Sequence, residues 1–500
     1  MNCISELPKD LKNVHLHFVG IKGTGMAALV EILFHNGAII TGSDVSEKFY
    51  TDAILEKLNI KVLPFSEKNI TKEIDYVIYS SAYKLDKNPD LIEAVKQNIP
   101  TLLYTQALGS YSSKSFSCGI CGVHGKTSTT GLAGSIMKQL SLPSQVLAGS
   151  VINSFGDKCT YTSQSFDSGV NAGESKNIFI AETCEYQRHF MSFCPQKIIL
   201  TSVESDHQDF YPTYESIRDA FVDYVLKLPV NGDLIYCADD KGACEVRNLV
   251  QEKRNDINFI SYGENAEGDF KLTFGETENE MQKFNLKSLG DFALKFPGKH
   301  EVLDAAAAIV LSVRLLMQYN QNVENNIENI RKGLLSFTGG KRRSEIKGHF
   351  VPASKNDVIV IDDYGHHPTA IKTTLEGYKK FYKGRRIIVD FMSHTYSRTQ
   401  NLLNEFASCF TSCDTLILHK IYASARENIN DFSITGKTLF EEAKKYHNDV
   451  HYFEEILDAK NFVLEEINKT SGDFPNGILF VTMGAGDNWK LGEAILEANK

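Results

Sequence analysis

The sequence lacks the features that mark a membrane or exported protein. No apolar run approaches the roughly 20 residues that a helix needs to cross a bilayer. The first residues, MNCISELPKDLKN, hold no basic stretch followed by an apolar core, so we expect no secretory signal. These absences predict a cytoplasmic protein without membrane insertion.

The sequence also has few cysteines and no long run of basic residues. Ten cysteines in 500 residues are too few for a disulfide scaffold, and several lie inside apolar runs, which is typical of a reduced compartment. Cys118 and Cys121 form a lone C-x-x-C on a predicted strand, and we interpret them as packing residues on opposite faces. The net charge of -10 is spread along the chain without a long basic run, which argues against nucleic acid as a partner.

The most informative stretch present is 117–132, SCGICGVHGKTSTTGL. Its first half belongs to the apolar run 116–123, which predicts a buried strand, and the hydroxyl-rich run after Lys126 opens a helix. Strand, glycine turn, lysine, hydroxyl and helix are the layout of a phosphate-binding loop, in which backbone amides and the helix N-terminus face the phosphates. The spacing departs from the common loop, because Ile120 stands where its first glycine would be. The predicted nucleotide site comprises Gly122, Val123, His124, Gly125, Lys126, Thr127 and Ser128.

Two later strands are predicted to end beside this loop. Residues 178–181 are apolar and deliver Glu182, and residues 197–203 are followed by a cluster that contains His207. Carboxylates and a histidine at strand ends next to a phosphate loop are where magnesium ligands would lie. The hydroxyl of Thr127 would complete a set with Glu182 and His207.

Strands and helices alternate over the first hundred residues, which predicts a parallel sheet with its ligand at the carboxyl ends of the strands. Gly20, Gly23 and Gly25 follow the first strand with the spacing G-x-x-G-x-G, which is not the dinucleotide pattern, and Asp44 lies where an acid would meet a ribose hydroxyl. A UDP-sugar is favoured here over a nicotinamide cofactor. Glycines that serve only helix–strand packing are the third interpretation.

The last third alternates in the same way. Four predicted strands, beginning near 358, 385, 414 and 477, each release polar residues at one end, which marks the ligand edge of a parallel sheet. We predict an α/β protein of three domains, with Rossmann-like first and third domains and a central phosphate-loop domain with a mixed sheet. The predicted boundaries are 1–110, 111–340 and 341–500. Further predictions are linkers at 108–117 and 339–343, a long surface loop at 152–177 and an antiparallel pair near 269–296.

A single ATP loop between two α/β segments suggests phosphoryl transfer to a substrate held between domains. The reaction that fits is activation of a carboxylate: ATP phosphorylates an acid, and an amine then displaces the phosphate. Mg²⁺ and Lys126 would offset charge in the first step. Proximity of the substrates would supply much of the remaining acceleration.

The sequence resembles the Mur ligase family over nearly its whole length. The resemblance lies in HFVGIKGTGMAAL (17–29), GSD (42–44), SSA (80–82), GVHGKTSTT (122–130), AETCEYQRHF (181–190), ESDHQDFY (204–211), KRRSE (341–345), DDYGHHPT (362–369), SHTYSRT (393–399) and MGAGD (483–487), in the expected order. The motifs DDYGHHPT and HTYSRT are similar to those of the alanine-adding members.

This resemblance implies substrates and residue roles. The first domain would bind UDP-N-acetylmuramate, and the central one ATP and Mg²⁺, with L-alanine as the amine. Lys126, His207, Glu182 and His124 would be catalytic, His124 lying near the sugar-linked carboxylate. Arg343 and Asp363 would contact ATP. The UDP-sugar residues would be Gly20, Gly23, Gly25, Asp44, Ser80, Ser81 and Ala82, and the alanine residues Tyr364, His366, His394 and Arg398.

The chain departs from the family pattern at several positions. The family pattern H-N-x-x-N is replaced by His300, Glu301 and Asp304, so adenine contacts there stay open. The aromatic residue of R-R-F is Ser344, and the tripeptide R-A-E before the first linker is replaced by residues 105–107, TQA. No lysine is assigned as a carbamylated magnesium ligand.

Three alternatives stay open from the sequence. The nearest is a sister ligase that attaches a preformed peptide to the same sugar nucleotide. An NAD-dependent dehydrogenase would use the glycines at 20–25 but leaves the phosphate loop unexplained. A non-catalytic sugar-nucleotide sensor is suggested by the changes at 301 and 304. The sequence does not indicate an oligomeric state.

Overall fold

The computed structural model describes residues 6–166, 177–278, 280–352, 356–423, 427, 429–469 and 473–499. Within these ranges the chain builds three α/β domains in succession, each around its own sheet. No helix of this described part is both long and apolar enough to cross a membrane.

The N-terminal domain is a parallel sheet in the strand order β3-β2-β1-β4-β5, which is the Rossmann-like arrangement that the alternating pattern predicts. Its elements are β1 (His15–Val19), α1 (Thr24–His35), β2 (Ile39–Ser43), α2 (Asp52–Lys57), β3 (Val62–Leu63), β4 (Tyr76–Tyr79), α3 (Pro89–Lys96), β5 (Thr101–Leu103) and α4 (Tyr104–Ser112). Apolar side chains bury α1 on the sheet, and Glu31 of the same helix reaches the next domain.

The prediction of a linker over 108–117 is wrong. Helix α4 continues to Ser112, and the first strand of the next domain begins at Phe116. The polar composition is misleading because the side chains satisfy one another inside the fold. Tyr111 is 5% exposed, packs edge-on against Phe179 and donates its hydroxyl to Gln145 at 2.6 Å.

The middle domain is a mixed sheet in the order β12-β11-β10-β6-β9-β7-β8, in which the described pairs are parallel except β7–β8. The elements of the sheet and its helices are β6 (Phe116–Cys121), α5 (Lys126–Met137), β7 (Ser144–Ile152), β8 (Lys158–Thr162), β9 (Ile178–Glu182), β10 (Lys197–Leu200), α6 (Tyr214–Val225), β11 (Asp233–Cys237), α7 (Lys241–Lys253) and β12 (Asn258–Tyr262). Three antiparallel strands and two helices follow: β13 (Leu272–Glu278), β14 (Met281–Leu286), β15 (Gly290–Leu294), α8 (Lys299–Gln318) and α9 (Ile327–Ser336).

Two local predictions for this domain need correction. The predicted loop at 152–177 contains β8, whose Cys159 and Thr160 are buried, and residues 167–176 of that loop lie outside the described residues. The predicted antiparallel pair near 269–296 is a three-stranded meander in the described structure. Cys118 and Cys121 contribute to different hydrophobic clusters, as their opposite directions on β6 predict.

The C-terminal domain has the strand order β16-β17-β21-β18-β19-β20, and its described pairs are parallel except β16–β17. Its elements are β16 (Glu345–Phe350), β17 (Val358–Asp363), α10 (Pro368–Phe381), β18 (Arg386–Phe391), α11 (Tyr396–Asn401), α12 (Leu403–Ser408), β19 (Thr415–Leu418), α13 (Gly436–Ala443), β20 (Val450–Tyr452), α14 (Lys460–Asn468), β21 (Ile478–Met483) and α15 (Trp489–Glu497).

Polar contacts join the domains. Glu31 of α1 accepts a hydrogen bond from Thr160 at 2.6 Å and pairs with Lys158 at 3.1 Å, so the N-terminal domain is tied to β8. On the other side, Arg398 of the C-terminal domain pairs with Asp206 of the middle domain at 2.7 Å. The second contact lies in a cleft that both later domains line.

Candidate active site

A cavity of about 610 Å³ lies between the middle and C-terminal domains. It is lined by loops at the carboxyl ends of strands from both sheets, which is where ligands bind in open α/β folds. The predicted residues that line it are Val123, His124, Gly125, Lys126, Thr127, Ser128, Glu182, His207, Arg343, Asp363, Tyr364, His366, His394 and Arg398. The structure therefore brings together residues that lie up to 275 positions apart in the sequence.

The phosphate loop follows β6 and ends where α5 begins. Gly122 and Gly125 have φ of 139° and 80°, in the region that glycine adopts without strain. A β-carbon at Gly122 would overlap Thr201, and one at Gly125 would overlap the Asp304 carboxylate. Ser202 holds the loop by accepting the His124 amide at 2.9 Å. Gly122 shapes the loop from beneath and does not itself line the cavity.

Lys126 is held at the base of the cavity. Its Nζ donates to the Gly122 carbonyl at 2.5 Å and lies 3.0 Å from Glu185 Oε2. Burial lowers the pKa of Lys126, but the charge of Glu185 more than offsets this and leaves the pKa above its ordinary value. The lysine is therefore a permanent positive charge beside the N-terminus of α5, which attracts anions.

The three predicted magnesium ligands fall into two neighbouring groups. Thr127 Oγ1 donates to Glu182 Oε2 at 2.9 Å, and the amide of Gly149 also donates to that oxygen at 2.8 Å. His207 instead lies beside Glu185, with 3.4 Å between His207 Nε2 and Glu185 Oε1. The hydroxyl and carboxylate oxygens fit Mg²⁺, which prefers oxygen ligands and retains several waters.

Glu185 is a site residue that the sequence reasoning missed. It is 2% exposed and lies between Lys126 and His207. Burial raises the pKa of Glu185, but Lys126 and then His207 lower it further, so the carboxyl stays ionised. The available signal was a second glutamate three positions after Glu182, just past the end of β9.

The C-terminal wall of the cavity carries a buried ion pair. Burial raises the pKa of Asp206, but the Arg398 guanidinium holds it well below its usual range. Arg398 also donates to the carbonyl of His394 at 2.8 Å. His366 Nδ1 donates to the Tyr364 carbonyl at 3.0 Å, and burial keeps the pKa of His366 well below its ordinary value. The wall thus presents a fixed cation and a neutral imidazole.

Arg343 and Asp363 stand where the middle domain meets the C-terminal one. The Asp363 carboxylate accepts hydrogen bonds from the backbone amides of Ser344 at 2.7 Å and Gly365 at 2.8 Å. The Arg343 guanidinium lies 5.2 Å from the centroid of the Tyr364 ring. The two adjacent arginines at the end of the predicted linker 339–343 have different contacts. Arg342 is structural: it donates to Asp362 and to carbonyls at the end of β21.

The positions that depart from the family pattern lie against the phosphate loop. Ser128 Oγ donates to Glu301 Oε1 at 3.1 Å, while Glu301 Oε2 has no hydrogen-bond partner among the described residues. Burial raises the pKa of Glu301 to about 7. The pKa of Asp304 is raised well above its ordinary value by burial and by the nearby Glu301. Two carboxyls in this position favour the neutral form near neutral pH.

The N-terminal candidates form a separate group. Gly20, Gly23, Gly25, Asp44, Ser80, Ser81 and Ala82 lie at the carboxyl ends of β1, β2 and β4 and on the loops that follow. None of these described residues lines the cavity. Asp44 accepts the amide of Lys22 at 2.7 Å and the hydroxyl of Tyr83 at 3.1 Å, so its carboxylate orders its own loop.

Family models match the chain in three consecutive parts. The Mur ligase family catalytic domain matches residues 15–115, the Mur ligase middle domain residues 120–312, and the Mur ligase glutamate ligase domain residues 342–486. Together these matches cover most of the chain.

Relatives named UDP-N-acetylmuramate--L-alanine ligase align along almost the entire chain. The protein of Treponema pallidum is 46% identical over 98% of this chain and 97% of its own length. That of Borreliella burgdorferi is 39% identical over 96% of this chain and 98% of its own length.

Solved structures share the fold. UDP-N-acetylmuramate-alanine ligase MurC of Thermotoga maritima superposes with a TM-score of 0.73 at 23% identity, covering 97% of this chain and 99% of its own. A murein peptide ligase of Psychrobacter arcticus gives a TM-score of 0.63 at 21% identity, covering 97% and 98%. Both structures therefore support the same three-domain architecture.

Proposed function

The chain belongs to the Mur ligase family, and we propose that it joins L-alanine to UDP-N-acetylmuramate in an ATP-dependent reaction that forms peptidoglycan precursor. The products are UDP-N-acetylmuramoyl-L-alanine, ADP and phosphate. The observation that carries the proposal is the single cavity in which a phosphate loop with Lys126 faces Arg398, His394 and His366. The named relatives, similar over nearly their whole length, support the choice of substrates.

The triphosphate would bind on the loop at 122–128. Backbone amides and the N-terminus of α5 face the phosphates, and Lys126 supplies a full charge. Arg343 lines the same cavity and adds a second cation from the domain boundary. Lys126 and Arg343 both line the cavity, and charges that the protein holds in position stabilise a charged transition state most effectively.

Mg²⁺ would be held by Thr127 and Glu182, with His207 on the adjoining side. When bound it would neutralise charge on the phosphates. Glu182 is already oriented by the Gly149 amide, and Glu185 fixes His207, so these residues are positioned by the protein alone. The hydroxyl and carboxylate of the pair form the oxygen-rich part of the set.

The bond-forming steps follow from the chemistry of the substrates. The lactyl carboxylate attacks the terminal phosphorus of ATP, ADP leaves, and an acyl phosphate remains. The amine of L-alanine then attacks the acyl carbon, phosphate leaves, and the amine loses a proton. His124 lies at the loop where the carboxylate would be held, and His366 lines the same cavity as a neutral imidazole.

The remaining predicted residues take roles by position. The UDP-sugar would bind at the N-terminal group that contains Asp44 and the glycines at 20–25, and its acid would extend to the cavity. Tyr364, His394 and Arg398 would hold alanine. We propose domain boundaries at 110 and 340, which lie close to the end of α4 at Ser112 and to the start of β16 at Glu345. We also propose a cytoplasmic location, as the sequence predicts.

Phosphate release from ATP, measured with UDP-N-acetylmuramate and each amino acid in turn, tests this function. We expect release with L-alanine and only background without the sugar nucleotide. A preformed tripeptide is the essential comparison, because peptide-adding ligases share the fold. Release that depends on tripeptide and is not stimulated by L-alanine would overturn the proposal.

A further inference from the structure

Three side chains with metal-binding chemistry converge between the middle and C-terminal domains. They are His124 of the phosphate loop, Glu204 after β10, and His367 immediately before α10, and one donor atom from each lies within 4.8 Å of the others. His124 Nε2 is 2.5 Å from Glu204 Oε1. The rings of His124 and His367 have centroids 5.0 Å apart and planes at 47°.

His367 has no structural role that accounts for its position. Its side chain is buried, with 5% of the residue exposed, and neither ring nitrogen has a hydrogen-bond partner among the described residues. Leaving a buried polar group unsatisfied costs free energy, so such groups usually face a ligand or an ordered water. The reaction proposed above does not use this residue.

We propose that His124, Glu204 and His367 bind a divalent transition-metal ion such as Zn²⁺. Two imidazoles and one carboxylate are a donor set that suits zinc, whereas Mg²⁺ prefers oxygen ligands. The cluster shares no residue with the set Thr127, Glu182 and His207. The donor atoms around a tetrahedral zinc lie about 3.3 Å apart. Side-chain rotations that move each donor atom by about 1 Å would bring the three to this spacing.

The metal would connect two domains. Glu204 and His124 belong to the middle domain and His367 to the C-terminal one. Thr369 Oγ1 donates a hydrogen bond to Glu204 Oε2 at 3.2 Å and so orients the carboxylate without itself binding the metal. This inference does not depend on the identity of the ligase substrates.

Titration of the full chain with Co²⁺, followed by visible absorption and reversed with Zn²⁺, tests the site. Exposed Cys184 and Cys194 could bind either ion, so the titration uses the Cys184→Ser/Cys194→Ser protein with Mg²⁺ present in excess. We expect one tightly bound Co²⁺ with the absorption of a four-coordinate ion. Glu204→Gln and His367→Gln should each weaken its binding at least about tenfold.

His300→Gln is the matched control, because His300 lines the same cavity but is not a member of the cluster. Its Co²⁺ affinity should equal that of the parent. Circular dichroism and thermal unfolding without metal establish that each variant is folded. Absence of a bound four-coordinate ion in the parent, or equal affinity in all three histidine and glutamate variants, would overturn the proposal.

Discussion

The two candidate sites of this protein are built in opposite ways. In the N-terminal domain, the turn after β1 and the end of β2 bond to each other: Gly20 donates to the Ser43 carbonyl at 2.9 Å, and Asp44 accepts a hydrogen bond from the amide of Lys22. The Ser43 hydroxyl is the one buried side-chain atom of these two described segments without a hydrogen-bond partner. In the cavity between the later domains, polar atoms of His367, Glu301 and Arg398 have no hydrogen-bond partner among the described residues.

The difference indicates what each site contributes. A loop whose backbone and carboxylate groups bond to one another is ordered without ligand and selects by shape and backbone. A cavity with unpaired polar atoms and buried charges has hydrogen-bonding groups that a ligand can pair with. Catalytic groups cluster in sites of this kind. We therefore expect substitutions in the cavity to reduce turnover and those in the N-terminal loop to reduce affinity.

The largest effect is expected for Lys126→Ala. The change removes the cation at the phosphate loop, and we expect phosphate release to fall by at least about 10³-fold, as for loss of a preorganised charge-stabilising group. It also leaves Glu185 buried without its partner, so thermal stability should fall as well. Phosphate release and thermal unfolding are the two measurements.

Lys138→Ala is the matched control, because Lys138 lies at the other end of α5 and donates to the Ser154 carbonyl on the surface. Its turnover should equal that of the parent. A Lys126→Ala protein that unfolds at a lower temperature yet turns over ATP at the parental rate would assign Lys126 to stability alone.

Much of the cavity was accessible from the sequence because its residues follow apolar strands. Glu182 is the last residue of β9, and Lys126 begins α5 after the short loop that follows β6; strand ends are identified by the loss of apolar residues. The three-domain α/β fold is confirmed for the same reason: alternating strands and helices form parallel sheets.

What the sequence could not give are the contacts between residues on different elements. Glu185 is recognisable only once the fold sets it between Lys126 and His207. Likewise, α4 and β8 were misjudged because polar side chains that satisfy each other in the folded state resemble loop composition. The separation of the N-terminal group from the cavity depends on domain placement, which no local pattern encodes.

A smaller and different effect is expected for Asp44→Ala. The carboxylate orders the turn after β1 by accepting the Lys22 amide and the Tyr83 hydroxyl. Loss of hydrogen bonds to a charged group should raise the KM for UDP-N-acetylmuramate by about tenfold. The KM for ATP and the kcat should change by less than about twofold, because the phosphate loop is untouched.

Asp52→Ala, which removes another acid near Lys22, controls for the loss of charge. It should leave the KM for the sugar nucleotide near the parental value. If Asp44→Ala lowered kcat and left that KM unchanged, the contrast between the two sites would be wrong.

The smallest effect on turnover is expected for Glu301→Gln, whose effect on stability depends on pH. The folded pKa of about 7 exceeds the ordinary value of 4.5, so the folded state favours the neutral carboxyl. Below pH 4.5 the carboxyl is neutral in both states, so its burial does not lower the free energy of unfolding. As the pH rises from 4.5 to 7, the carboxyl ionises in the unfolded chain first, and the free energy of unfolding falls. This loss is complete above pH 7. Glutamine cannot ionise, and it can still accept from Ser128.

The variant should therefore be more stable than the parent by about 3 kcal/mol at about pH 8, since the pKa is raised by about 2.5 units and each unit corresponds to about 1.4 kcal/mol. The difference should fall below about 1 kcal/mol at about pH 5. Thermal unfolding at both pH values measures it, and Asp304→Asn is the comparator, because burial raises that pKa too. A stabilisation of equal size at both pH values would mean that burial of Glu301 does not control its ionisation, and that the cavity carries less unsatisfied charge than its geometry implies.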